Sequence, residues 1–265
     1  MASASAIISS ESIAERFEAL RADSRRALVC YVTAGHPSPA ATVELLEGLE
    51  AAGADVIELG VPFSDPVADG PVIQHSSSVA LANGVTLDGS LELLEKARPA
   101  VPVVLFTYLN PLLAAGPDVL RRARDAGIAG ILVTDLPLGA DPRREAWLAE
   151  SGLDFIRLVA PTTPPGRLAG ICQHGSGFVY LISRMGVTGA RDDAPPDVAP
   201  MVARLRAVTD LPVCVGFGIS TPAQARAVAR LADGVVVGSA VVRAAGESTG
   251  AALNLVRSMR EAMDG

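Results

Sequence analysis

Ala27-Leu-Val-Cys-Tyr-Val-Thr33, then Thr42-Val-Glu-Leu-Leu-Glu-Gly-Leu-Glu-Ala-Ala52, then Asp55-Val-Ile-Glu-Leu59 is the run that decides the fold. Its outer pieces are short, rich in Val, Ile and Leu, and mostly apolar without alternation, as parallel strands covered on both faces require. The middle piece repeats Val43, Leu46 and Leu49 along one helical face. Strand, crossover helix and strand together make a βαβ unit.

The same kind of apolar run recurs outward from there, at Val101 to Phe106, Ile128 to Val133, Phe155 to Val159, Phe178 to Ile182, Val213 to Val215 and Val235 to Val237, giving eight strands in all. Helical patterns separate them, as at Val198 to Val208, where Val198, Met201, Val202 and Leu205 share a face. Eight units in 265 residues imply a single (β/α)8 TIM barrel spanning residues 1–265 as one domain, with no low-complexity linker to divide it. The open dinucleotide-binding alternative lacks its G-x-G-x-x-G signature after the first strand, and there is no Walker A loop. Ahead of the first strand, Ser12-Ile-Ala-Glu15 is a capping box, with Ile13, Phe17 and Leu20 along one face, so an N-terminal helix is expected to cover the barrel floor.

Composition narrows the function. The chain is 49% apolar and carries a formal charge of −7 from 22 basic and 29 acidic residues. With no basic block it lacks a footprint for nucleic acid, which favours a small-molecule role. Cys30, Cys172 and Cys214 have no CxxC spacing and read as buried free thiols in a reducing cytoplasm. No run is long enough to span a bilayer, and the first residues lack the charge pattern of a secretion signal.

In such a barrel the chemistry gathers where strands end at their carboxyl side. Strand two leaves through Ile57-Glu58-Leu-Gly-Val-Pro-Phe-Ser-Asp65-Pro66-Val-Ala-Asp69-Gly-Pro-Val-Ile-Gln74. Asp65 and Asp69 taken singly read as turn residues before Pro and Gly. Glu58 does not: a carboxylate among Val56, Ile57 and Leu59 is costly to bury unless it faces a polar barrel mouth. The last two strands leave through Gly216-Phe217-Gly218-Ile-Ser220 and Gly238-Ser239, glycine-bearing exits suited to an anion. A short helix over Ser239 to Ala245 would turn its N-terminus to a phosphate. A polar loop after strand six, from Ser183 through Arg184 to Asp193 with Gly186 and Gly189, reads as a lid. Lys96, the only lysine, lies in the helical stretch Ser90 to Arg98, away from any strand exit, so a Schiff base is not implied. His36, His75 and His174 are scattered, so a metal is not implied either. What remains is acid/base work on a phosphorylated substrate.

The strand-two segment resembles the signature of tryptophan synthase α subunits. It is joined by Thr33-Ala-Gly35, Tyr108-Leu-Asn110-Pro, Asp135-Leu-Pro137, Gly186-Val-Thr188-Gly189 and Gly216-Phe-Gly218-Ile-Ser220, so that the likeness covers nearly the whole chain. The resemblance implies a lyase that splits indole-3-glycerol phosphate into indole and glyceraldehyde 3-phosphate. On it, Glu58 protonates the indole ring at C3, and Asp69 interacts with the indole N–H, stabilising its positive charge before taking that proton. Tyr31, Tyr108, Tyr180, Thr188 and Phe217 contact the substrate, Thr188 closing toward Asp69. Gly189, Gly218, Gly238 and Ser239 hold the phosphate. The resemblance also implies no cofactor in this chain and a pyridoxal-phosphate β subunit as partner in an αββα complex, receiving indole through a tunnel. Asp65, Pro66, Asn110 and Pro137 match positions that face it.

Two departures stand out: His36 where many members have aspartate, and Tyr31 where Phe is common. A non-catalytic α-like activator, a stand-alone indole-releasing lyase and another phosphosugar barrel are the alternatives. Intact Glu58 and Asp69 argue against the first, and the strand-two segment against the last.

Overall fold

Strand and helix alternate along the computed structural model, which describes residues 11–183, 197–216 and 218–265. The first half runs α1 (Ile13–Ala22), β1 (Ala27–Thr33), α2 (Pro39–Leu49), β2 (Val56–Gly60), α3 (Pro71–Ala82), α4 (Leu87–Ala97), β3 (Val103–Thr107), α5 (Leu109–Ala115), α6 (Val119–Asp125) and β4 (Ile128–Val133). The second runs α7 (Pro142–Ala149), β5 (Asp154–Phe155), β6 (Arg157–Val159), α8 (Pro165–Gln173), β7 (Val179–Ile182), α9 (Val198–Arg206), β8 (Val213–Gly216), α10 (Pro222–Ala229), β9 (Gly234–Val237), α11 (Ser239–Glu247) and α12 (Thr249–Asp264).

All pairings are parallel, in the order β5-β4-β3-β2-β1-β9-β8-β7-β6. The two ends of that order, β5 and β6, are halves of one expected strand, parted at Ile156, whose N–H still donates to the Ile131 carbonyl at 2.9 Å. One half pairs with β4 and the other with β7, so the sheet closes on itself as an eight-stranded barrel. Elsewhere the expected bounds shift by a residue or a few. The third strand starts at Val103 because Pro102 has no N–H to give a ladder, and α2 starts at Pro39, held by the Ser38 side chain accepting from the Ala41 N–H.

Within each strand the side chains alternate between two cores. Ala27, Val29, Val56, Val104, Leu132, Ile156, Phe178, Tyr180, Cys214 and Val236 fill the barrel. Leu28, Cys30, Ile57, Leu59, Val103, Leu105 and Ile131 point outward beneath the helices. Both faces are apolar, which is why the sequence shows runs in place of alternation. From α1, Ile13, Phe17 and Leu20 join the interior cluster, and the Phe17 ring sits 5.9 Å from that of Phe178. The helix thus plugs the floor, started by the Ser12–Glu15 capping box.

At the same end, Asp55 accepts from the Leu28 N–H at 2.8 Å and from Arg260 of α12 at 3.1 Å, while Arg260 also donates to the Arg26 carbonyl at 2.9 Å. Gly53, at φ +104°, lies against the Arg260 stem, where a Cβ would come within 2.5 Å of Cγ. The floor and the C-terminal helix are therefore pinned together, which leaves the opposite, carboxyl end of the strands as the open mouth.

Candidate active site

Glu58 enters the mouth from the inner face of β2, in register with Tyr31 of β1 and Val104 of β3. It is 1% exposed, its Oε1 has no hydrogen-bond partner among the described residues, and burial pushes its carboxyl up to about 8. A carboxylate buried this deeply is poorly solvated, so the group keeps its proton near neutral pH. That is the state an acid needs.

Tyrosines line the mouth beside it. The Tyr31 ring meets Phe106 edge-on at 5.2 Å, and its hydroxyl, bonded to the Thr33 side chain, lies over Gly60, where a Cβ would approach to 2.0 Å. Tyr180 does the same over Gly216, at 2.4 Å. Glycine at both strand ends is what admits the two rings. Burial is the main cause raising the pKa of each phenol, and the fields of both Glu58 and Asp69 add to it, so each ring lies within reach of both carboxylates.

Asp69 is half-buried in the loop between β2 and α3, and burial raises its carboxyl pKa while a hydrogen bond from Tyr108 lowers it. That bond, from the Tyr108 hydroxyl to Oδ2, is 2.9 Å. The loop is braced from below: the Gln74 amide donates to the Asp69 carbonyl at 3.0 Å, and Thr33 and Ser76 hydroxyls join β1 to α3 at 2.7 Å.

On the other side of the mouth, Gly238 is the N-cap of α11, with no side-chain cap, and Ser239 opens the helix. Gly218 has φ +81°, which favours glycine there. Thr188, Gly189 and Phe217, and the expected lid through Arg184 to Asp193, lie outside the described residues. Asp65, Asn110 and Pro137 are exposed and Pro66 half-exposed, at the exits of the three neighbouring strands β2, β3 and β4. Val67, between them, is 86% exposed. Phe106 is a wall residue that sequence reasoning missed. Its signal is the period-two spacing from inward Val104.

His36 is buried against α11, with its ring 6.5 Å from that of exposed His75; His174 caps α8 on the floor side. Among the described residues no group of three or more His, Cys, Asp or Glu is placed to hold a metal, and no helix is long and apolar enough to cross a membrane. The three cysteines are buried and unpaired. A cavity of about 610 Å3 lies on the outer wall between α7 and α8, where Arg157 and Glu145 satisfy each other at 2.9 Å, away from the mouth.

Fold and mouth define a (β/α)8-barrel enzyme of the acid/base type, with a protonated and a hydrogen-bonded carboxyl facing one apolar, tyrosine-lined opening. Residues 17–264 match the sequence profile described as Tryptophan synthase alpha chain. The tryptophan synthase alpha chain of Citrifermentans bemidjiense is 49% identical over 234 residues, covering 87% of this chain and 88% of that one. The corresponding protein of a Caulobacter species, strain K31, is 50% identical over 235 residues, 87% and 85% of the two chains. Among solved structures, tryptophan synthase of Mycobacterium tuberculosis superposes with a TM-score of 0.87 at 38% identity, over 96% of this chain and 99% of that one. Subunit alpha from Legionella pneumophila gives 0.87 at 37%, over 95% and 98%. The chain belongs to the tryptophan synthase alpha chain family. This family cleaves indole-3-glycerol phosphate, a lyase reaction in tryptophan biosynthesis, and needs no cofactor of its own, since pyridoxal phosphate belongs to the beta subunit.

Proposed function

We propose that Glu58 is the acid and Asp69 the counter-charge of a retro-aldol cleavage of indole-3-glycerol phosphate at this mouth. Glu58 gives its proton to indole C3, and the ring becomes cationic. Asp69 holds the ring N–H and stabilises that charge. The bond from C3 to the glycerol chain then breaks, its electron pair returning to the ring. The hydroxyl proton of the side chain leaves to the carboxylate that Glu58 has become, and indole and glyceraldehyde 3-phosphate result. The cationic ring is the electron sink, which agrees with a single lysine remote from the mouth.

Tyr31, Tyr180 and Phe217 form the aromatic wall, and the N–H groups about Gly189, Gly218, Gly238 and Ser239 take the phosphate. Thr188 closes toward Asp69. Asp65, Pro66, Asn110 and Pro137 face a tryptophan synthase β subunit in an αββα complex, which receives the indole. The free cysteines support a place in the cytoplasm. The observation that carries the assignment is the orphaned, protonated carboxyl of Glu58 in register with Tyr31.

Indole release from indole-3-glycerol phosphate, measured for the purified chain alone and with a β subunit, tests it. Release that the partner accelerates is expected. No indole from a folded chain under either condition would return the molecule to a non-catalytic activator.

A further inference from the structure

We infer that Tyr108 is a positioning residue for Asp69, acting through its hydroxyl on that carboxylate, and not a substrate contact. The inference rests on the role proposed above for Asp69. Tyr108 caps α5 at the exit of β3 and is only 3% exposed, with its ring 5.0 Å from that of Phe63. A phenol has one proton to give. Here it goes to Asp69 Oδ2 at 2.9 Å, while the phenol oxygen accepts the Ala68 N–H at 3.0 Å. Both ends of the contact lie in one loop, on adjacent residues, so the hydroxyl is a clip that fixes the carboxylate to the end of β3. Donation by Ala68 polarises the phenol and strengthens its bond to Asp69.

The backbone beneath the clip is itself fixed. The Leu109 N–H donates to Asp135 Oδ1 at 2.8 Å, which ties the exits of β3 and β4. Tyr108 therefore presents its hydroxyl from a braced support to a loop whose outer residues, Asp65 and Val67, are exposed. With its proton committed, it has none for a substrate while that bond persists. Its effect runs through Asp69 in two ways: it holds the carboxylate in place, and it favours the ionised form, since a hydrogen bond to the charged state lowers the pKa that burial raises.

Tyr108→Phe keeps the ring against Phe63 and removes only the hydroxyl. The experiment is the pH dependence of kcat and kcat/KM for indole release by the full chain, Tyr108→Phe beside wild type and Asp69→Asn. Expected are a kcat at least tenfold lower, a KM within about threefold of wild type, and an acid limb moved to higher pH, because Asp69 without its donor ionises later. Difluorotyrosine at position 108 keeps the shape, donates more strongly and should move the acid limb to lower pH. Wild-type kcat with an unmoved acid limb in Tyr108→Phe, or a raised KM at unchanged kcat, overturns the positioning role while leaving Asp69 intact. Wild-type turnover in Asp69→Asn overturns both.

Discussion

Glu58 stands out in the sequence because a lone acid inside a Val-Ile-Leu strand has few stable explanations. What the strand could not show was how deeply Glu58 is buried and that its Oε1 finds no partner among the described residues, a property of the side chains across the barrel and not of its neighbours in sequence. The burial of Glu58 has two consequences. The first is kinetic: on the roles proposed above, activity needs Glu58 protonated and Asp69 ionised, so it should fall as pH drops through the Asp69 pKa and fall again as pH rises through about 8. Glu58→Gln should lower turnover by ~10² or more, and a pH–rate profile of the wild type should show the alkaline limb near that value. The second is thermodynamic. The folded state holds the Glu58 proton up to about pH 8, whereas an unfolded chain releases it near 4.5. Between those values the native state binds more protons, so this group's contribution to stability falls as pH rises. Glu58→Gln, isosteric and uncharged, should therefore melt above wild type at pH 8.5, by an order of a few kcal/mol, with the gap closing toward pH 4.5. Thermal melts at the two pH values decide it. Asp69 is less legible: next to Gly70 it reads as a turn residue, and only the Tyr108 contact, 39 residues away, separates it from one.

At the scale of strands and helices, the glycines at strand ends carry information that hydropathy does not. Gly60 reads as a strand terminus, but its missing side chain is the space the Tyr31 hydroxyl occupies. Gly60→Ala should displace that ring, costing about 1–3 kcal/mol and raising KM for indole-3-glycerol phosphate. Tyr31→Ala in the same chain should restore part of the stability but not the KM, as paired melts and kinetics would show. The floor is stitched by charge. Arg260→Ala leaves Asp55 buried with one remaining donor, the Leu28 N–H, and the Arg25 charge at 3.9 Å, and should destabilise by about 3 kcal/mol, read from urea unfolding. Neither partner of that pair, 205 residues apart, points to the other in sequence.

At the scale of the molecule, three consecutive strand exits put Asp65, Pro66, Asn110 and Pro137 on one sector of the rim, beside the loop that carries Asp69. Val67 stands 86% exposed in that sector, an apolar side chain with no cover in the isolated chain. Val67→Asp should raise the β-subunit concentration for half-maximal activation about tenfold, equivalent to ~1.4 kcal/mol, with the basal rate within twofold of wild type. A titration of indole release with the partner measures both. The order of elements and the closed parallel barrel were determined by sequence alone, because apolar runs, helical faces and caps are local patterns that recur along the chain. So was the end at which the candidate residues gather, since parallel strands joined by crossover helices all leave at one face. Only the tertiary structure decided which side chains share that face at bonding distance. The orphaned Glu58 oxygen, the ring space over Gly60 and Gly216, and the Tyr108 clip on Asp69 each arise where strands remote in sequence close around a common interior, and a local pattern holds no record of what stands across the barrel.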